Sequence, residues 1–109
     1  MSPPGGTPYY SMTEVLRCVD AAPQRLGFRP EALRDAREHY GYGREDIADV
    51  LRGLDQAQWH KTLALASYRG EAADVYRVEL PDDMGKAYVK FFIDMDNVLQ
   101  VLSFKPRLS

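Results

Sequence analysis

One cysteine, two histidines and no apolar run long enough to cross a membrane narrow this sequence before any motif is read. Cys18 alone cannot form an internal disulfide, so packing has to hold the fold together. It lies in an apolar helical pattern and reads as a small buried hydrophobe rather than a reactive thiol. His39 and His60 are far apart, no His-Glu-x-x-His occurs, and one cysteine cannot build a zinc site, so no metal and no other cofactor is expected. A glycine-rich phosphate loop and a Gly-x-Ser-x-Gly elbow are both missing, which leaves nucleotide hydrolysis and serine-hydrolase chemistry without support. The opening residues lack the basic and apolar blocks of a signal peptide, and a cytoplasmic protein without membrane association is expected.

A large excess of either charge is also missing. With 14 basic and 16 acidic residues the net charge is −2, which argues against a broad basic surface that binds nucleic acid without selectivity. A local basic site is still compatible with it. Residues 1–55 carry seven arginines and nine acidic residues, whereas residues 56–109 carry all four lysines, three arginines and seven acidic residues. Phosphate chemistry is therefore to be sought in the second half.

What is present describes an ordinary globular chain: 109 residues, 45% hydrophobic, with twelve aromatics. Splitting that length would leave each half too little apolar surface to offset its ordering entropy, so one folded domain over residues 8–109 is expected, preceded by a flexible tail over residues 1–7. Ser11 and Glu14 have capping-box spacing, and Met12, Val15, Leu16 and Val19 share one helical face, giving a helix over residues 12–21. Pro30 opens a second helix that Gly41 ends, over residues 30–40. Ile47, Val50, Leu51 and Leu54 give a third, over residues 44–52, bounded by Gly53. Asp55, with Gln58 in the reciprocal position, caps a fourth short helix over residues 56–63, which Trp59 and Leu63 anchor to the core.

After Ala66 the period changes to that of strands, over residues 74–80, 86–94 and 98–105. The fold class that follows is α+β, with N-terminal helices packed on one face of a C-terminal antiparallel sheet. In the second strand Ala87, Val89, Phe91 and Ile93 point one way and Lys86, Tyr88 and Lys90 the other. Lys105 closes the next strand beside them, and Lys61 belongs to the preceding segment. Exposed strand faces often alternate Lys and Tyr simply for solubility. The same groups also suit metal-free RNA cleavage, which needs a proton acceptor for the 2′-hydroxyl, cations for the phosphorane transition state and an acid for the departing 5′-oxygen. Arg77 suits either a phosphate or a carboxylate on the neighbouring strand. Tyr76 reads as structural, and Tyr9 and Tyr10 as surface packing.

Three segments carry a family resemblance. They are Gly53-Leu54-Asp55-Gln56-Ala57-Gln58-Trp59-His60-Lys61, then Asp74-Val75-Tyr76-Arg77, then Gly85-Lys86-Ala87-Tyr88-Val89-Lys90 joined to Leu102-Ser103-Phe104-Lys105. In order and spacing, and with the Pro8 and Val15 region, the chain resembles the MqsR family of mRNA interferases from Pro8 to Lys105. The resemblance implies a fold like that of RelE and YoeB, and a metal-independent endoribonuclease that cuts single-stranded mRNA at short GC-containing sites. It assigns catalysis to Lys61, Tyr88 and Lys105, with Lys61 delivered by a helix. His60, Arg77, Lys86 and Lys90 are the accompanying RNA-binding candidates. His60 stands where the better-known pattern has tyrosine, and an imidazole there can act as base or acid near neutral pH.

A glutamine of the family pattern is replaced by Ala73, a departure at the edge of the catalytic set. The resemblance further implies a cognate MqsA-like antitoxin as partner and mRNA as substrate, with operator DNA reached only through that antitoxin. Two rivals accompany this reading: a RelE-like toxin that cuts mRNA only on the ribosome, and a catalytically weakened homologue that serves as an antitoxin-binding module.

Overall fold

A computed structural model describes residues 7–21, 25–65 and 72–107. The elements run α1 (Met12–Ala21), β1 (Gly27–Phe28), α2 (Pro30–Tyr40), α3 (Arg44–Arg52), a 3₁₀ turn (Gln56–Gln58), β2 (Trp59–Ala64), β3 (Ala72–Glu79), β4 (Lys86–Ile93) and β5 (Leu99–Lys105). The fold is α+β, as expected, and the three long helices occupy the spans read from the sequence.

Their ends show why. Glu14 N donates to Ser11 Oγ at 3.1 Å and Ser11 N to Glu14 Oε1 at 3.2 Å, so the capping box that opens α1 is formed on both sides. Pro30 starts α2, and Gly41 ends it at φ 70°, a left-handed conformation that glycine adopts without a Cβ penalty. From α2, Ala32, Ala36 and Tyr40 turn inward; from α3, Ile47, Ala48 and Leu51 do the same.

The sheet order is β1-β5-β4-β3-β2. Four strands form an antiparallel meander, but β1 pairs with β5 in parallel, so the sheet is mixed rather than purely antiparallel. Two residues are too short for a periodicity to betray them, and only the neighbouring β5 makes Gly27 and Phe28 a strand. Arg44 pins this corner, stacking on the Phe28 ring at 4.7 Å and donating to Leu26 O at 3.2 Å. One face of the sheet carries the core. Tyr76, Val89, Phe91, Val101 and Phe104 are wholly buried there, Tyr40 of α2 meets Phe104 edge-on, and Met12 of α1 reaches Tyr76.

The expected fourth helix is not a helix. Its caps form as read, with Ala57 N donating to Asp55 Oδ1 at 2.9 Å and Asp55 N to Gln58 Oε1 at 2.8 Å, yet they support a single 3₁₀ turn. From Trp59 the backbone extends and pairs with β3. A capping box stabilises a first turn only; the ladder to β3 pairs five of the six residues and prevails over local propensity. Spacing misled here because Trp59 and Leu63 stand at i, i+4 yet end on opposite faces of the strand, the register shift between Trp59 and Lys61 turning Trp59 to the core and Leu63 to the open face. The strand boundaries also shift slightly: β3 begins at Ala72 and ends at Glu79, β4 ends at Ile93, and β5 begins at Leu99. Of the expected tail only Thr7 is described, and it is exposed; residues 1–6 and the period change at Ala66 lie outside the described residues.

Candidate functional site

Opposite the core, the meander presents a second face, and the register places the candidate residues on it in rows. Lys61 of β2, Val75 of β3, Lys90 of β4 and Ser103 of β5 pair across successive strands. The next row holds Arg77, Tyr88 and Lys105. Glu79 and Lys86 form the last pair at that end. The alternation expected in β4 holds from Lys86 to Phe91, with Ala87, Val89 and Phe91 buried, Lys86 exposed and Tyr88 and Lys90 half-buried, and it ends where Phe92 and Ile93 are both buried. A bulge in β5 at Leu102 keeps this arrangement: Lys90 faces Ser103 but Phe91 faces Val101, so both Phe104 and Val101 turn to the core while Ser103 and Lys105 stay on the open face.

A second irregularity brings in His60. Between Trp59 and Lys61 the β2 register shifts, and the extra residue swings its imidazole over the open face. The ring stands edge-on to Tyr88 with centroids 5.8 Å apart. Lys86 Nζ approaches the same tyrosine ring at 5.8 Å. Lys61, Leu63, Val75, Tyr88, Lys90, Ser103 and Lys105 enclose a pocket of about 70 Å³. Thus all seven candidates from the sequence share one face, and four of them line its pocket; Arg77, Lys86 and His60 form the surround. Leu63, expected to anchor a helix, lines this pocket instead. Trp59 does pack against the core, but from a strand.

Beyond the Lys61–Lys90 row the charged residues give way to Leu63, Ala73 and Phe92, with Gln100 at the β5 end. Ala73 pairs with Leu63, and Phe92 follows Lys90 by two residues in β4; Ala73 and Phe92 are buried. Ala73, where the family pattern has glutamine, therefore lies on the open face, one row from Lys90. Burial pushes the Lys90 ammonium below the usual lysine range. Arg29, Lys105 and Lys61 act in the same direction, and Glu31 opposes them.

Edge strand β2, which carries His60 and Lys61, is held by a group that sequence reasoning passed over. Asp74 is wholly buried and accepts three hydrogen bonds: from Tyr9 N at 3.0 Å, Tyr10 N at 2.8 Å and the Thr62 hydroxyl at 2.6 Å. Thr62 in turn accepts from Trp59 Nε1 at 3.3 Å. One carboxylate thus ties the chain before α1 and the edge strand to β3. Tyr10, expected at the surface, is drawn into the core by this clamp, whereas Tyr9 stays exposed. A lone acid inside the apolar run Ala72 to Tyr76 was the available signal. Arg29 was also missed. It precedes α2, its backbone N–H donates to Val101 O at 2.9 Å, and its distance from the site in sequence hid it until β1 docked on β5.

Among the described residues, no three His, Cys, Asp or Glu side chains gather closely enough to hold a metal ion, and no helix is long and apolar enough to cross a membrane. Cys18 is half-buried, with Sγ 3.3 Å from Asn97 O, and burial raises its thiol above the ordinary range, in keeping with an unreactive role.

No curated protein matches the chain in sequence. The family described as motility quorum-sensing regulator, toxin of MqsA, matches residues 7–106 of the 109. That span includes every strand of the sheet and every residue of the pocket, and the chain belongs to the MqsR toxin family.

Proposed function

We propose that this toxin is a metal-independent endoribonuclease that cuts mRNA on the open face of its sheet and thereby arrests translation and growth. The observation that carries the reading is the convergence of Lys61, Tyr88 and Lys105, from three different strands, around one small pocket. In this reading Lys61 and Lys105 flank the scissile phosphate and stabilise the charge that grows on its equatorial oxygens. Tyr88, on a strand that lies between theirs and paired with Lys105, transfers a proton or orients the 2′-hydroxyl. Arg77 makes no ion pair with a described carboxylate, which favours its phosphate role over its alternative. With His60, Lys86 and Lys90 it supplies the cationic track on which single-stranded RNA lies, His60 and Tyr88 offering ring faces to bases.

In-line attack of the 2′-oxygen leaves a 2′,3′-cyclic phosphate and a 5′-hydroxyl. The partner that holds this activity in check is an MqsA-like antitoxin, and operator DNA is bound by the antitoxin rather than by this chain. Incubating pure protein with mixed-sequence RNA in EDTA and mapping the ends tests the whole reading. Cyclic-phosphate ends in EDTA support it. Cutting that appears only on ribosomes would replace it with the RelE-like mode, and the absence of cutting in both settings would favour a module that only binds its antitoxin, an outcome to which the departure at Ala73 lends weight.

A further inference from the structure

Lys90 stands in the middle of the open face with a strand on either side, and its surroundings differ in the two directions along β4. Toward Tyr88 lie Arg77 and Lys105; toward Phe92 lie buried Ala73, half-buried Leu63 and Gln100, whose amide is turned to Asp94. Lys61 and Ser103 flank it within its own row, and Arg29 with Glu31 reaches it from the start of α2. We infer that Lys90 is the proton acceptor for the attacking 2′-hydroxyl, an assignment that rests on the ribonuclease reading and gives that site a base.

The argument is geometric first. The amine lines the pocket shared by Lys61, Tyr88 and Lys105, within reach of whatever phosphodiester those three hold. Burial takes part of its hydration away, and three of the four charges that bear on it are positive. Both conditions favour the free amine, and a lysine so placed is the kind that serves as a general base. In the reaction, the 2′-hydroxyl proton passes to Lys90 Nζ as the 2′-oxygen bonds to phosphorus. The bond from phosphorus to the 5′-oxygen breaks, and that oxygen takes a proton from the Tyr88 hydroxyl. Tyr88 lies two residues away on the same face, so the proton gained by Lys90 returns to it through solvent, and no other reactant is consumed. The departure at Ala73 acquires a role: it places a small apolar side chain in the row beside Lys90.

The test is single-turnover cleavage of an RNA oligonucleotide in EDTA across pH, with RNA affinity measured in parallel by fluorescence anisotropy. For the parent protein the rate should climb with pH and level off below the ordinary lysine range. Lys90→Arg keeps the charge but cannot accept a proton at these pH values, so it should bind RNA within about threefold of the parent, cut roughly a hundredfold or more slowly, and show no levelling. An arginine variant that cuts at the parent rate with the parent pH profile would reduce Lys90 to a charge and overturn the assignment. If Lys90→Arg does not fold, Lys90→Ala decides: restored cutting with added propylamine, in proportion to the free-base concentration, supports the assignment, and failure of rescue rejects it. A parent protein that cuts at no pH would remove the ribonuclease reading itself, an outcome distinct from an active parent with an equally active arginine variant.

Discussion

Within β4, Val89 has no solvent exposure and packs in the core, while its neighbours Tyr88 and Lys90 line a pocket beneath no helix of the described chain. The two faces of this strand follow opposite rules. On the inner face, apolar volumes interlock: Phe91 stacks on Tyr76 at 5.7 Å and Phe104 meets Tyr40 edge-on at 5.5 Å. On the outer face, the cationic side chains of Lys61, Arg77, Lys86 and Lys90 gather on neighbouring strands. The ion pairs among the described residues involve Arg29, Arg34 and Arg52, and none involves Lys61, Arg77, Lys86 or Lys90. A packing-driven design would avoid such repulsion, and a protein that tolerates it places its local inconsistency where a polyanion would resolve it. The comparison teaches that one strand separates a packed core from a charged open face at a spacing of a single residue.

The largest effect should come from breaking the inner face. Phe91→Ala removes a wholly buried ring, a change that costs about 3–5 kcal/mol, a large part of the stability of a small protein. Urea denaturation should show the midpoint falling accordingly, and a midpoint unchanged would mean the core is not where it is described. The outer face should answer in the other currency. Lys61→Ala, Tyr88→Ala and Lys105→Ala should each lower RNA cleavage roughly a hundredfold or more, with thermal midpoints moving little, as surface changes do. The size of each loss ranks the three roles.

An intermediate case sharpens the boundary between the faces. Thr62→Val keeps the shape of a buried side chain but leaves Asp74 without its hydroxyl donor and Trp59 without its acceptor. A cost of about 1–3 kcal/mol is expected for such a broken buried network, together with loss of cleavage as β2 and its Lys61 loosen. Hydrogen exchange confined to β2 would distinguish this from general destabilisation.

These residues also mark how far the sequence could be read. Alternation in β4 is a local signal and separated the faces from Lys86 to Phe91, and the caps of α1, α2 and α3 are equally local, so those boundaries were legible. β2 was not, because a capping box, a compatible i, i+4 pair and a short segment all spoke for a helix, and the decisive partner, β3, lies beyond Ala66 in sequence. The bulge that turns His60 toward Tyr88 exists only once that pairing is made. The Asp74 clamp joins residues 64 and 65 positions apart, and no spacing rule reaches that far. Lys61, Tyr88 and Lys105 were reached by resemblance rather than by composition, since exposed lysines on a strand are common.

A smaller effect concerns alkaline pH. Burial, and then Tyr42, raises the Tyr40 phenol from its ordinary value of 10.0 to about 12, and its hydroxyl donates to Lys86 O at 2.8 Å. The folded state therefore holds this proton more tightly than the unfolded one. Its contribution to stability is complete below pH 10 and is lost as the pH rises toward about 12. Denaturation measured across that window should show stability falling with pH, less steeply in Tyr40→Phe, which has no proton to lose. An identical slope in the variant would place the titration elsewhere.

The most direct test sets two neighbours against each other. Tyr88→Ala and Val89→Ala differ by one position and by one face, and each is to be measured for both thermal midpoint and RNA cleavage in EDTA. The account predicts that Tyr88→Ala loses cleavage by roughly a hundredfold or more and melts near the parent temperature, whereas Val89→Ala melts lower and, below its midpoint, still cuts. A Tyr88→Ala protein that cuts RNA at the parent rate would contradict it.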